Sequence, residues 1–513
     1  MTYPASRVLA KDGWSGNLLL ALISAAAGAV GALGQAPWDY PVIMMLALSG
    51  AFWMFRQCSS PGRAALAGWA FGAGWFALAL HWITEPFQVD AARHGWMAPF
   101  ALFLLSSGLA LFWAGAFWLA RRLSTGALAL VPVWAATEMA RAYVFTGFPW
   151  AAPAQALVGT QAGQGLAYLG PHGVNFCLFG FAWVLSLPLS RPGMAGGLAL
   201  KAGALASAGI ALMNSPGEAP VADTGHYVRL VQPNAAQHLK WQPGHVQRFL
   251  DLQMELTARL PEPGKPAPEL VIWPETAIAW RLDQAGPVFE RIREITDAQV
   301  ALGILRSDGE RLRNALVHLT GSGAQNIYDK HHLVPFGEYL PFAPLAERLG
   351  LAALVQTGPG FGAGPGPEVM NFGRLGPGMP LICYEAVFAH DVNAAPERPA
   401  FLLQITNDAW FGQFAGPHQH LAQARMRAIE QGLPMLRAAN TGISAVIGPR
   451  GRILAHLPLG VADTLDAAVP VPLPPTVYSR AGDLPIVLLI GTMVGVLLLF
   501  RAGSERALQR QDK

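Results

Sequence analysis

The sequence predicts two architectures in one chain: a multi-pass α-helical membrane domain and, set before its last span, a single exported α/β domain. Three observations predict it. Hydrophobic residues make up 52% of the 513 positions and charged residues only 13%, about half the charge of ordinary soluble domains. About eight apolar stretches approach or exceed the ~20 residues that cross a hydrocarbon core of roughly 30 Å. Over residues 214–483 this pattern gives way to short strand-like and helix-like runs in alternation.

The apolar stretches run approximately over 17–34, 40–55, 64–83, 96–120, 125–148, 174–190, 194–213 and 484–500. Arg7 and Lys11 precede the first, so a cleavable signal peptide is its competing reading; its length and the spans that follow at once favour a retained helix. Cytoplasmic loops carry Lys and Arg. Arg56 and Arg63 separate spans two and three, Arg121 and Arg122 separate four and five, Arg191 lies between six and seven, and Arg501, Arg506, Arg510 and Lys513 follow the last. The opposite loops hold only Arg93. Both termini are therefore expected in the cytoplasm. Residues 1–213 form a seven-span bundle, 214–483 an exported domain, and 484–513 the final span and tail. In a cell with an outer membrane that places the domain in the periplasm and the chain in the inner membrane.

A net charge of +3 and the lack of a long basic run exclude nucleic acid as an expected partner. Three cysteines, Cys58, Cys177 and Cys383, do not form a disulfide framework, and only Cys383 falls in the exported block. An isolated thiol is usually an inert small hydrophobe, so its neighbours decide its reading. His331 with His332 and His418 with His420 lack a third ligand at metal-site spacing, so no metal is expected. Residues 355–367 are rich in Gly and Pro without the strand-to-helix setting of a phosphate loop; a mobile loop or lid is expected there. Glu138 and Arg141, three apart inside span five, share a helical face and are expected to pair, because ionisable groups in a bilayer are costly.

Within the exported block, strands are predicted over 226–234, 270–276, 300–307, 314–321, 379–385 and 401–408, with later strands in MLRAAN, ISAVIGP and GRILAHL. Helices are predicted over 242–259, 286–298 and 417–432. Glu275 closes the strand LVIWPET and Cys383 lies near the end of MPLICYE. Open α/β sheets place their chemistry at such strand ends, although a polar residue there is more often a turn or cap. Lys330, in YDKHHLVPFGEYLPF, has a solvated surface charge as its ordinary reading.

VIWPET, DKHHLVPFGEYLPF and LICYE, in that order, resemble the catalytic segments of the nitrilase superfamily. With PFGEYLP, TNDAWFG at 406–412, FTGFPW at 145–150, QPNAAQHLKW at 232–241 and the flanking spans, the chain resembles the apolipoprotein N-acyltransferase family over essentially its whole length. The resemblance implies an αββα nitrilase-like sandwich and an acyltransferase with a Glu275–Lys330–Cys383 triad working by ping-pong transfer without a cofactor. A phospholipid, chiefly phosphatidylethanolamine, would donate its sn-1 chain to Cys383 as a thioester. The α-amine of an S-diacylglyceryl-cysteine lipoprotein would then accept it. Glu338 would orient the triad, Tyr384 and Glu385 would support the nucleophile, and Trp241 would help handle a substrate, although by its residue type it also suits a bilayer interface.

The residue types suit that chemistry. A thiol with an ordinary pKa of about 8.5 needs a base or a nearby ammonium to react at neutral pH. Glu275 takes the base role, Lys330 holds developing negative charge, and the Tyr384 backbone amide is suitably placed for an oxyanion. Two readings compete: a membrane-anchored amidase or hydrolase with water as acceptor, and a non-enzymatic scaffold or transporter. A lipid substrate explains many spans where one would anchor a hydrolase, and no transporter-like repeat is evident.

Overall fold

The computed structural model describes residues 13–187, 221–341 and 360–511, with a few isolated positions between them. The chain divides into two compact units, one formed by Met1–Gly217 with Val477–Lys513 and the other by Glu218–Thr476.

The first unit is helical. Its main helices are α1 Trp14–Ala32, α2 Pro41–Gln57, α3 Pro61–Ala79, α4 Ala98–Leu123, α5 Leu130–Tyr143 and α6 Leu166–Ser186, and a further helix covers Leu484–Gln511. Small residues let them approach closely. A Cβ on Gly28 would stand 1.9 Å from the Phe71 carbonyl oxygen, and one on Gly74 equally near that of Ala25. Large apolar side chains such as Phe103, Leu104, Leu488 and Phe500 face outward, the reverse of a soluble bundle.

Among the described residues, three helical stretches are long and apolar enough to cross a membrane, Trp14–Ala32, Ala91–Leu123 and Leu484–Ala502. A fourth counts if the bent pair Pro61–Ala79 and His81–Gln88 is one span. Helix α2 has 17 residues and α5 only 14, and α6 is interrupted where Gly170 takes φ 63 ahead of Pro171. The stretch expected as span five is thus a short helix flanked by 3-10 turns at Ala127–Ala129 and Val144–Thr146. The stretch expected as span seven, 194–213, lies outside the described residues.

Glu138 and Arg141 pair in this unit, at 2.7 Å, both nearly inaccessible. Arg141 also donates to the carbonyls of Phe148 and Trp150, and Trp113 donates to Glu138. Every charge is thereby met, and the FTGFPW loop is tied down by the guanidinium.

The second unit carries twelve strands among its described residues, in two six-stranded sheets. These are β1 Asp223–Gln232, β2 Leu270–Ile272, β3 Gln299–Asp308, β4 Arg311–Thr320, β5 Gly323–Asp329, β6 Met370–Asn371, β7 Pro377–Ile382, β8 Phe401–Thr406, β9 Met435–Ala439, β10 Ala445–Ile447, β11 Ile453–His456 and β12 Asp463–Pro470. One sheet runs β12-β1-β2-β3-β4-β5 and the other β11-β10-β9-β8-β7-β6. Each has three parallel strands at its centre, β1-β2-β3 and β7-β8-β9, with antiparallel strands outside them.

Period-two alternation builds the layers. Leu270 and Ile272 of β2 and Leu403 and Ile405 of β8 point into one shared core between the sheets. Val271 faces the opposite way, onto helices α7 Pro243–Ala258 and α8 Gly286–Ile295. Leu402 faces helix α9 Ala415–Gln431 on the far side of the second sheet. The result is an α/β/β/α sandwich. β5, β6 and β12 had no counterpart in the sequence reading; β12, DTLDAAVP, pairs with β1 although its composition is weakly apolar.

Candidate active site

Glu275 follows β2, Lys330 follows β5, and Cys383 follows β7, so the three come from different strand ends. The backbone after β2 does not leave the sheet at once. Trp273 donates to Ala301, and Ala277 to Gly303, so residues 273–277 continue along β3. Gly303 permits this, since a Cβ there would stand 2.6 Å from the Glu275 Cα.

Both oxygens of Glu275 are occupied. Oε1 accepts from Asn314 Nδ2 at 2.6 Å and lies 3.6 Å from the Lys330 ammonium; Oε2 accepts the Asn407 backbone N–H at 2.9 Å. Lys330 is closer to Glu338, at 2.9 Å. Glu338 in turn accepts the Val334 N–H on its other oxygen at 2.7 Å, which folds the VPFGE turn back and aims the free oxygen at Lys330. Asn314 Nδ2 also reaches Glu338 at 3.4 Å and closes a ring of four side chains. Burial works against the Lys330 charge, but Glu338, Glu275 and Cys383 more than offset it and hold the ammonium above its ordinary value.

Cys383 is the first residue past β7 and takes φ 53, a left-handed conformation that strains a residue with a Cβ. Glu385 explains how the turn holds. Its Oε2 accepts the Ile382 N–H at 2.6 Å, while Oε1 accepts the Tyr328 hydroxyl at 2.8 Å and the His331 N–H at 2.7 Å. One inaccessible carboxylate thus staples the cysteine turn to the segment that bears Lys330. Burial pushes the Cys383 thiol up and Glu275 adds to this, against Lys330 and a hydrogen bond with Thr406.

Beneath the turn lies a second network. The Cys383 carbonyl accepts Gln404 Nε2 at 3.1 Å, and Gln404 Oε1 accepts Arg437 at 2.5 Å. Arg437 and His420 flank Asp408 at 2.6 and 2.8 Å, and Thr406 donates to the same carboxylate at 2.9 Å. Burial opposes the Asp408 charge, yet Arg437 and His420 outweigh it and bring its pKa down to about 2. Burial and the Arg437 charge push His420 down, against the pull of Asp408.

The remaining expected residues divide. Tyr384 is buried at the turn, its ring packed on Phe388 and His332. Trp241 is 43% exposed and lies beside Lys240, 5.5 Å from ring centre to ammonium, rather than within the triad. His331 and His332 each meet Asp391 or Glu385. The Gly-rich segment, expected to be mobile, is held in place over residues 360–364. Phe361, Gly362 and Gly364 donate to Glu338, Leu312 and Lys330, so 360–364 is stitched against the lysine strand. A Cβ on Gly364 would stand 2.2 Å from the Asp329 oxygen, so that glycine serves close approach rather than mobility. Residues 355–359 lie outside the described residues.

Sequence reasoning missed Asn314, Lys240, Asn407, Gln404 and Arg437. Asn314 opens the apolar run NALVHLTG, and a lone amide at the head of a strand carries no signal of its own. TNDAWFG was noticeable, but which of its polar groups faces inward is decided by the strand end at Thr406.

A family model described as "Apolipoprotein N-acyltransferase N-terminal domain" matches residues 27–184, and one described as "Carbon-nitrogen hydrolase" matches 228–473. Curated relatives named apolipoprotein N-acyltransferase match over nearly the whole chain. That of Rhodopseudomonas palustris is 35% identical over 96% of this chain and 97% of its own. That of Bradyrhizobium diazoefficiens is 36% identical over 94% of each chain, and that of Brucella suis 36% identical over 97% of this chain and 98% of its own.

Proposed function

Since the chain belongs to the apolipoprotein N-acyltransferase family, we propose that it moves an acyl chain from a phospholipid, chiefly phosphatidylethanolamine, through Cys383 to the N-terminal amine of S-diacylglyceryl-cysteine lipoproteins. The family makes the chain an acyltransferase of lipoprotein biosynthesis in the nitrilase superfamily. One observation carries the finer reading: the Lys330 ammonium stands 2.9 Å from Glu338 and 3.6 Å from Glu275, and Glu385 ties the Cys383 turn to His331, the residue after Lys330.

In the first step Glu275 accepts the thiol proton as Sγ attacks the sn-1 ester carbon, so charge passes to the ester oxygen without a free thiolate accumulating. Lys330 and the Tyr384 backbone amide stabilise that oxyanion. Collapse expels the glycerol oxygen, which takes the proton from Glu275 and departs as lysophospholipid. In the second step the lipoprotein amine attacks the thioester and gives a proton to Glu275, the C–S bond breaks as the amide forms, and Glu275 returns that proton to the leaving sulfur. Glu338 fixes Lys330, and Glu385 fixes the cysteine turn. Trp241 handles substrate at the rim.

The proposed topology is multi-pass, with about eight crossings, both termini cytoplasmic, and the domain 214–483 on the periplasmic side of the inner membrane. The distribution of Lys and Arg supports it. The test uses purified full-length protein with phosphatidylethanolamine and a diacylglyceryl lipopeptide. Mass spectrometry should find one acyl chain added to the peptide for each lysophospholipid formed. Free fatty acid in place of acylated peptide would instead make the protein a hydrolase.

A further inference from the structure

Lys240 is a buried cation whose hydrogen-bond partners are neutral. Its ammonium donates to the Glu275 backbone carbonyl at 3.2 Å and to the Thr276 hydroxyl at 2.9 Å, and the side chain is 7% exposed. Lys240 also lines a cavity with a largely apolar wall that includes Phe249, Leu250, Ala277 and Trp280. Burying an ammonium this way is costly, and a neutral donor would satisfy the same two oxygens more cheaply. Burial pulls Lys240 down to about 8, partly offset by the Glu275 charge.

The residue it grips is conformationally demanding. Thr276 takes φ 46, which a β-branched side chain rarely adopts, and this left-handed step directly follows Glu275. The same short helix, Gln237–Lys240, has a second handle on the carboxylate. Gln237 Oε1 accepts from Asn407 Nδ2 at 2.8 Å, and the Asn407 backbone N–H is the donor to Glu275 Oε2. The segment after β1 is itself anchored, since Asn440 exchanges hydrogen bonds with Asn234 and Ala235.

We infer that Lys240 is a positioning residue for Glu275: by clamping the carbonyl of Glu275 and the hydroxyl of Thr276 it holds the left-handed step that turns the carboxylate toward Lys330 and Cys383. The inference rests on Glu275 being the base for Cys383. Lys240 touches no reacting atom and acts through the backbone of its neighbour.

The experiment reads the rate at which iodoacetamide alkylates Cys383 in the full-length protein, followed on the Cys383 peptide, so it needs no lipid turnover. Glu275→Gln should slow alkylation, and Lys240→Met should slow it by about tenfold. The double variant should be no slower than Glu275→Gln alone, because both changes disable one group. A wild-type rate in Lys240→Met, or a double variant slower by the full Lys240→Met factor, overturns the inference while leaving Glu275 as base. A rate in Glu275→Gln that is unchanged, or faster as relief of the carboxylate's charge on the thiol alone would give, overturns the base assignment itself. Should Lys240→Met not fold, Thr276→Val removes one handle only. It should slow alkylation about threefold with the same non-additivity, and a wild-type rate there would equally overturn the clamp.

Discussion

Two buried polar clusters stand at the ends of the two sheets, and they are built differently. Around Asp408, the contacts to Arg437, His420 and Thr406 lie between 2.6 and 2.9 Å, and the cluster reaches the Cys383 carbonyl through Gln404 and through His420. Around Glu275, the ammonium is 3.6 Å away, and the Asn314 oxygen has no partner among the described residues. The closed cluster spends its hydrogen bonds on holding a strained turn. The looser one keeps a carboxylate and an ammonium adjacent at 3.6 Å, an arrangement that suits the proton exchange proposed for Glu275. Damage to the first should therefore appear as lost stability, and damage to the second as lost rate.

The widest separation is expected at the sulfur. Cys383→Ala should abolish transfer and Cys383→Ser should lose on the order of a thousandfold or more, since a hydroxyl ionises far less readily, while both unfold like the parent. Near-normal turnover in either would break the comparison at its centre. Arg437→Met should do the opposite. It leaves Asp408 charged, inaccessible and short of its main cation, so unfolding measurements should show about 3–5 kcal/mol lost, with a smaller change in kcat for the folded fraction. A stable variant with crippled turnover would mean that the lower cluster is chemical after all.

Asn314→Ala sharpens the contrast at intermediate size. It removes the donor shared by Glu275 and Glu338, and kcat should fall about tenfold to a hundredfold with a stability loss of only about 1–2 kcal/mol. The smallest effect is a pH effect. Burial opposes the His331 charge, but the adjacent Asp391 and Glu385 carboxylates outweigh it and raise its pKa from 6.5 to about 9. A raised value means that the folded state binds the extra proton, so this stabilisation is full below 6.5 and disappears as pH rises through about 9. His331→Gln should lower Tm by a few degrees at pH 6 and by much less above pH 9. An unchanged Tm at pH 6 would remove the imidazolium from the account.

Much of this was legible before the fold was seen, and the reasons are local. Strands β2, β7 and β8 are short, nearly all-apolar runs that end in polar residues, so both the strands and the candidates at their ends are visible in VIWPET, LICYE and FLLQITND. β12 was not legible because Asp463, Thr464 and Asp466 interrupt its apolar pattern; Asp466 is there to meet the buried Arg229 at 2.6 Å. Asn314 and Lys240 escaped because their meaning lies in what stands opposite, across β3 and beyond the next turn. The Gly-rich run misled for a related reason. Glycine marks either freedom or crowding, and at Gly364 only the neighbouring Asp329 backbone tells which.

The central claim is that one sulfur carries the fatty chain between lipid and protein. Intact-mass measurement of the full-length protein mixed with phosphatidylethanolamine, with no acceptor present, tests it most directly. The expected result is a single added acyl group that maps to Cys383, disappears on adding a diacylglyceryl lipopeptide, and never forms in Cys383→Ala. An unmodified wild-type protein that nevertheless acylates the lipopeptide would contradict it.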